Sequence, residues 1–163
     1  MPGFQISAAR IFDQECTLRG EPSEVKQRAS NQCRLLGKIC FVFCLFCSLD
    51  PTRIWIEQEH ALAVPDAYPV TDGHTLVIPR KHVASIYELS ADQQQAVWQM
   101  VSEVRSRLLT GMKPDGFNIG VNDGLAAGQT VLHAHIHIIP RRAGDVPDPR
   151  GGIRWIIDDK ANY

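Results

Sequence analysis

Neither sign of charge prevails in this chain of 163 residues: 17 basic side chains stand against 18 acidic ones, a net of −1. Without a basic surplus there is no surface to hold a polyanion, which excludes long nucleic acid as a partner. Long hydrophobic runs are also lacking. The longest, residues 39–47, has nine members, where a bilayer-spanning helix needs about 20, so no membrane partner is expected. That run lies far from the N-terminus and lacks a small-residue cleavage site, so it does not read as a signal peptide. Internal repeats and low-complexity tracts are absent. Cysteine occurs in a number that cannot pair off: Cys16, Cys33, Cys40, Cys44 and Cys47, three of them within eight residues. A disulfide framework explains that pattern poorly. A reducing, cytoplasmic compartment is therefore expected, with the cluster either buried or metal-binding.

What is present suits a globular domain, at 44% hydrophobic and 21% charged residues. One domain of this size buries a core without disulfides. Residues 1–38 are poorly periodic and read as an extension to a domain spanning residues 39–163, with a short helix at 25–36 at most. Residues 54–58 and 61–64 read as a hairpin about Glu59 and His60, followed by Asp66 between Pro65 and Pro69. Asp72-Gly73 makes a turn into a nearly continuous apolar strand at 74–79. Ser90 and Gln93 form a capping box for a helix at 91–110, with Val97, Val101, Val104 and Leu108 as its apolar stripe and Gly111 at its end. A strand at 117–122 delivers Asn122 to a glycine loop. The tail, 144–163, is irregular with one short strand at most. These elements make an α+β domain with a mostly antiparallel sheet.

The most informative stretch is residues 128–142, GQTVLHAHIHIIPRR. His133, His135 and His137 alternate with Ala134, Ile136 and Ile138, a strand's period of two. On a strand the three imidazoles share one face, neighbours about 6.6–6.8 Å apart, and the apolar residues pack on the other. Two chemistries fit three histidines on one wall. They could hold a catalytic metal, or one could be a nucleophile that its neighbours orient, since neutral imidazole attacks phosphorus and carbonyl centres and leaves again. The preceding run from Asn122 to Thr130 favours the second, because its glycines let backbone N–H groups approach an anion. A phosphate is the expected guest. Cys44 and Cys47 form a C-x-x-C pair, which can be redox-active, zinc-binding or part of a core. The following Asp50-Pro51 and strand do not fit a redox context, and His82 and His133 can complete a closed tetrahedral zinc site.

His133-Ala134-His135-Ile136-His137-Ile138-Ile139 resembles the His-φ-His-φ-His-φ-φ signature of the histidine triad (HIT) superfamily of nucleotide hydrolases and transferases. The Gly128-Gln129-Thr130 lead-in, Asp66-x-x-Pro69 and the segment from Gly73 to Pro79 are similar to the family's too, and the resemblance covers about residues 44–163. It implies a HIT-like fold of five strands and one long helix, forming a homodimer that shares a larger sheet. By the same resemblance His135 is the nucleophile that attacks an α-phosphorus, forming a nucleotidyl-histidine that water releases. His137 contacts the scissile phosphate and protonates the leaving atom, and His74 supports the site. Asn122, Gly128, Gln129 and Thr130 donate to phosphate oxygens, while Asp66 grips the ribose of an adenine or other purine nucleotide. Zinc-containing bacterial-type members place structural zinc on residues corresponding to Cys44, Cys47, His82 and His133, with no metal needed for catalysis. C-terminal segments shape specificity in the family, here Arg154 and Trp155. Two other functions fit the residues: a non-catalytic nucleotide- or protein-binding module, and a tri-histidine metalloenzyme.

Overall fold

The structure, a computed structural model, describes residues 44–161. The expected extension at 1–38, its helix at 25–36 and Cys16, Cys33 and Cys40 lie outside the described residues. Six regular elements carry the fold: β1 (Ile56–Glu57), β2 (Ala61–Pro65), β3 (Thr75–Pro79), α1 (Ala91–Met112), β4 (Gly116–Val121) and β5 (Ile136–Arg141). The strands form one sheet in the order β1-β2-β3-β5-β4, every neighbouring pair antiparallel. No helix among the described residues is long and apolar enough to cross a membrane.

Period-two alternation sorts the side chains of this sheet onto two faces. Ala63, Val77, Ile136 and Ile138 pack against Val97, Met100, Val101, Val104 and Leu108 of α1, each buried Val, Ile, Leu or Met contributing about 1.5–3 kcal/mol. Leu62, Val64, Leu76 and Ile78 point the other way, under Phe46, Leu49 and Ile54. That second face carries the histidines. Strand β5, which presents His137, is paired on both edges, with β3 and β4.

Helix α1 begins at the expected capping box: Ser90 Oγ accepts the Gln93 N–H at 3.4 Å and Gln93 Oε1 accepts the Ser90 N–H at 3.2 Å. It does not stop at Gly111. The helix runs to Met112, and Lys113 takes the left-handed cap conformation with φ 50°. Pro114 follows, and the residue before a proline is disfavoured in the right-handed helix. The hairpin forms where expected but with a shorter first strand, Ile56–Glu57, preceded by a 3₁₀ turn at Pro51–Arg53 capped by Asp50. The tail holds 3₁₀ turns at Gly152–Ile156 and Asp158–Lys160 and no strand.

Strand β5 starts three residues later than the histidine alternation suggests. Its register with β3 pairs Val77 with Ile136, and continued one pair further beyond Ile78 would set Ala134 against Pro79. Proline has no amide hydrogen for the Ala134 carbonyl, the Pro79 carbonyl meets His133 Nε2 at 2.8 Å, and the Ala134 N–H donates to Val83 O at 2.7 Å. Only His137 of the triad lies within the strand. His133 and His135 sit on the extended approach to it.

Candidate functional site

The triad is divided between two neighbouring centres. His133 is 1% exposed, and its Nδ1 lies 3.3 Å from Cys44 Sγ and 3.5 Å from Cys47 Sγ. His82 Nδ1 is 3.2 Å from Cys47 Sγ. A turn closed by the Cys47 and Ser48 N–H groups on the Cys44 carbonyl brings the two thiols together. One donor atom from each of Cys44, Cys47, His82 and His133 lies within 4.8 Å of the others, so these four residues could hold a metal ion. The donor chemistry fits: two sulfurs and two imidazole nitrogens are a closed tetrahedral set. The His133 Nε2–H meets Pro79 O at 2.8 Å, the outward hydrogen bond that commonly orients a metal-binding imidazole. Burial and the adjoining Cys44 push the Cys47 thiol up to about 12, the opposite of a reactive redox dithiol.

His135 is 7% exposed, and its Nδ1–H donates to the His133 carbonyl at 2.9 Å. A neutral imidazole has one donor and one acceptor nitrogen. With Nδ1 committed as donor, Nε2 keeps the lone pair. Phe46 packs edge-on against this ring, centroids 5.0 Å apart. His137 follows on β5, its ring centroid 5.1 Å from that of His135.

A second chain of hydrogen bonds sets the His137 tautomer. The Val70 N–H donates to His74 Nδ1 at 3.3 Å, so the His74 proton sits on Nε2. That Nε2 is 3.0 Å from His137 Nδ1, which accepts and leaves the His137 N–H on Nε2. Burial, then the adjacent His135 and His74, hold His137 down to about 4, with Asp66 opposing. Burial likewise lowers His74. The site thus presents the His135 Nε2, opposite its committed donor nitrogen, and an N–H donor on His137 from neighbouring rings. That pairing can attack an electrophilic centre and hydrogen-bond one of its oxygens.

The tri-histidine metal centre does not form. His133 directs one nitrogen to the thiols and the other to Pro79, while His135 Nδ1 is held by the backbone. Asp66, His74 and His137 also converge. There, though, the Val70 N–H keeps the His74 proton on the nitrogen that would have to bind the ion.

The loop before the triad differs from the expectation of a phosphate cradle. Gln129 is 3% exposed; its side chain donates to Ala84 O at 2.8 Å and accepts from the Gly124 N–H at 2.9 Å. The backbone N–H groups of Gly128 and Gln129 are likewise bonded within the loop, to Leu125 O and Gly124 O. A buried amide must satisfy both its polar atoms, and the fold satisfies them inside. Gln129 and Gly128 therefore shape the loop around the 3₁₀ turn Leu125–Ala127 and are not aimed at an anion. Thr130 is exposed and Asn122 half-buried, and a Cβ built on Gly128 would lie 4.0 Å from Asn122 Nδ2.

Asp66 sits nearer the imidazoles than a purely ribose-binding role suggests. Its Oδ1 accepts the Tyr68 N–H at 2.8 Å, and its Oδ2 lies 3.4 Å from His74 Nε2. Ile153 of the tail lies over the site face of β4, where a Cβ on Gly120 would approach its Cδ1 to 3.0 Å. Arg154 bonds back to Lys160 O, and the Trp155 ring N–H to Arg150 O. Sequence reading missed Phe46, Val70 and Pro79. Phe46 at least had a signal, lying between the two cysteines.

A five-stranded antiparallel sheet with one long helix, presenting alternating histidines beside a Cys2His2 cluster, defines a histidine-triad architecture. The chain belongs to the HIT family, whose HIT domain model matches residues 49–144. It is 41% identical over 102 residues to an uncharacterised HIT-like protein of Mycoplasma genitalium, covering 60% of this chain and 72% of that protein. It is 35% identical to a bifunctional bis(5'-adenosyl)-triphosphatase/adenylylsulfatase of Arabidopsis thaliana, covering 60% of this chain and 54% of the relative. Among solved structures, a HIT family member from Bacillus subtilis superposes with a TM-score of 0.57 at 38% identity, over 60% of this chain and 72% of that one. A zinc-bound histidine triad family protein from Mycobacterium smegmatis gives 0.55 at 35% identity, over 72% and 93%.

Proposed function

We propose that this protein is a nucleotide hydrolase or transferase that cleaves at the α-phosphate of nucleoside phosphoramidates or dinucleoside polyphosphates through a nucleotidyl-histidine. The observation that carries the reading is the tautomer pair: the backbone commits His135 Nδ1 as a donor, and His74 commits His137 Nδ1 as an acceptor. The His135 Nε2 lone pair forms a bond to the α-phosphorus as the bond to the leaving group breaks. The His137 Nε2–H hydrogen-bonds a phosphate oxygen and lies on the path of the proton to the leaving atom. Water then attacks the phosphorus, forming a P–O bond as the P–Nε2 bond breaks, which releases the nucleoside monophosphate and returns the lone pair to His135. Positioning and charge stabilisation dominate such chemistry, and Thr130 and Asn122 supply further donors from the loop. Family membership supports this reading, as do the phosphoanhydride-cleaving activities in the Arabidopsis relative's name.

Cys44, Cys47, His82 and His133 would hold structural zinc, which would cross-link the Cys44–Cys47 turn to the segments after β3 and before β5 and take no part in the bond changes. The zinc-bound relative supports that choice of metal. We further propose a homodimer built along β4, an edge strand whose residues are all half-buried, and a cytoplasmic location that keeps the thiols reduced.

The test is steady-state turnover of adenosine phosphoramidate, diadenosine tetraphosphate and adenylyl sulfate by wild type and His135→Ala. Release of adenosine monophosphate from at least one substrate, reduced at least a thousandfold in the variant, is expected. Equal turnover by the two proteins would overturn the proposal.

A further inference from the structure

Asp66 follows β2 directly, and its two oxygens serve different groups. Oδ1 closes the local turn on the Tyr68 N–H at 2.8 Å. Oδ2 faces inward, 3.4 Å from His74 Nε2 and 3.9 Å from His137 Nδ1, with the side chain only 14% exposed. The one N–H of His74 Nε2 thus has two acceptors in front of it, His137 Nδ1 at 3.0 Å and the Asp66 carboxylate.

The chemistry at His137 makes the second acceptor necessary. A neutral imidazole that gives away its only N–H becomes an imidazolate, so His137 can pass a proton from Nε2 only when it also carries one on Nδ1. A proton on Nδ1 removes the acceptor that His74 uses and sets two N–H groups head to head. His74 cannot relieve the clash by changing tautomer, because the Val70 N–H occupies its Nδ1. Asp66 Oδ2 can relieve it: a small swing of the His74 N–H finds the carboxylate, whose charge also offsets the new imidazolium. The titratable groups facing His137 are His135, His74 and Asp66, and Gly120 opposite it on β4 adds none. Asp66 is the anion of this set.

We infer that Asp66 is a positioning residue for leaving-group protonation, the acceptor and counter-charge that lets the His74–His137 pair take up a second proton. The inference rests on the nucleotidyl-transfer chemistry proposed above. The second proton comes from solvent. As the His135 Nε2–P bond forms, the P–N bond of a phosphoramidate breaks, its electron pair stays on the leaving amine and the His137 Nε2 proton neutralises it.

A ribose contact and this role separate experimentally. Asp66→Asn keeps the turn-closing oxygen and removes the charge. Its turnover is compared on adenosine phosphoramidate, whose amine needs a proton to leave, and on the p-nitrophenyl ester of adenosine monophosphate, whose phenolate does not. Both are also assayed as 2',3'-dideoxy analogues. We expect the ratio of kcat on the phosphoramidate to kcat on the ester to fall about tenfold or more, equally with and without the ribose hydroxyls. Retained ester turnover also shows that the variant folds. An equal loss on both leaving groups, or a loss that vanishes with the dideoxy sugar, overturns the inference. A nitrogen-shift titration of His137 reads the pairing without turnover: the imidazolium should form at lower pH in Asp66→Asn. An unmoved His137 contradicts the pairing, whereas a wild type that turns over none of the four substrates sinks the proposed function instead.

Discussion

A neutral histidine carries one proton on one of two nitrogens, and in this site backbone groups decide which. The His133 carbonyl accepts the His135 Nδ1–H, the Val70 N–H donates to His74 Nδ1, and the Pro79 carbonyl accepts the His133 Nε2–H. The residue types of the site were legible in the sequence, because three alternating histidines are an uncommon pattern. The tautomers were not. Every residue except proline has the same amide and carbonyl, so such partners leave no mark in a sequence. Gln129 shows the same limit, since an amide reads alike whether it serves a ligand or Ala84 O. One consequence is pH-dependent stability. His137 is held down to about 4 in the folded protein, against about 6.5 when unfolded. The unfolded chain therefore binds more protons between those values, and stability present above about pH 6.5 is lost as the pH falls toward 4. Urea midpoints measured at pH 7.5 and pH 5 should fall between the two, and the fall should be smaller in His137→Gln. An equal fall in both proteins would place the effect elsewhere.

At the scale of elements, local chemistry and tertiary contacts divide the work. The start of α1 was readable because a capping box is a local signal, and Ser90→Ala should cost about 1 kcal/mol in equilibrium unfolding. Its end was misread because Gly111 stays helical and Pro114 two residues after Met112 does the stopping. The late start of β5 depends on register, which sets Ala134 toward Pro79 only once β3 and β5 are paired. Gly73 joins both kinds of constraint. Its φ of +84° is reached readily by glycine alone, and a Cβ there would meet Met112 Sδ at 2.6 Å and Pro140 Cγ at 3.2 Å. Gly73→Ala should destabilise by more than about 1 kcal/mol, whereas Gly111→Ala, with nothing within 4 Å of its Cβ, should be neutral or mildly stabilising. Thermal unfolding of the pair distinguishes the two positions.

Across the whole molecule, His133 joins the cluster that could hold a metal ion to the proposed nucleophile: its Nδ1 faces the thiols and its carbonyl holds His135. The cysteine pair and the two histidines lie 89 residues apart at their extremes, and the sequence identified them only by residue type and order. Their convergence follows from the β3–β5 pairing and the turn after Pro79. Metal analysis should find one zinc per chain, lost in Cys44→Ser, with a lower melting temperature in that variant. The His135 ring should lose order with it, seen as broadened imidazole resonances. A zinc-free protein of unchanged melting temperature would contradict the structural role of the cluster.

The central claim is that His135 Nε2 becomes covalently bonded to phosphorus. Mass spectrometry of the intact protein, quenched without acid within milliseconds of mixing with adenosine phosphoramidate, tests it directly. The account requires a transient mass gain of one adenylyl group in wild type, mapped to His135 and absent from His135→Ala. Turnover of the same substrate with no adduct at any time, or an adduct that persists in the variant, would contradict it.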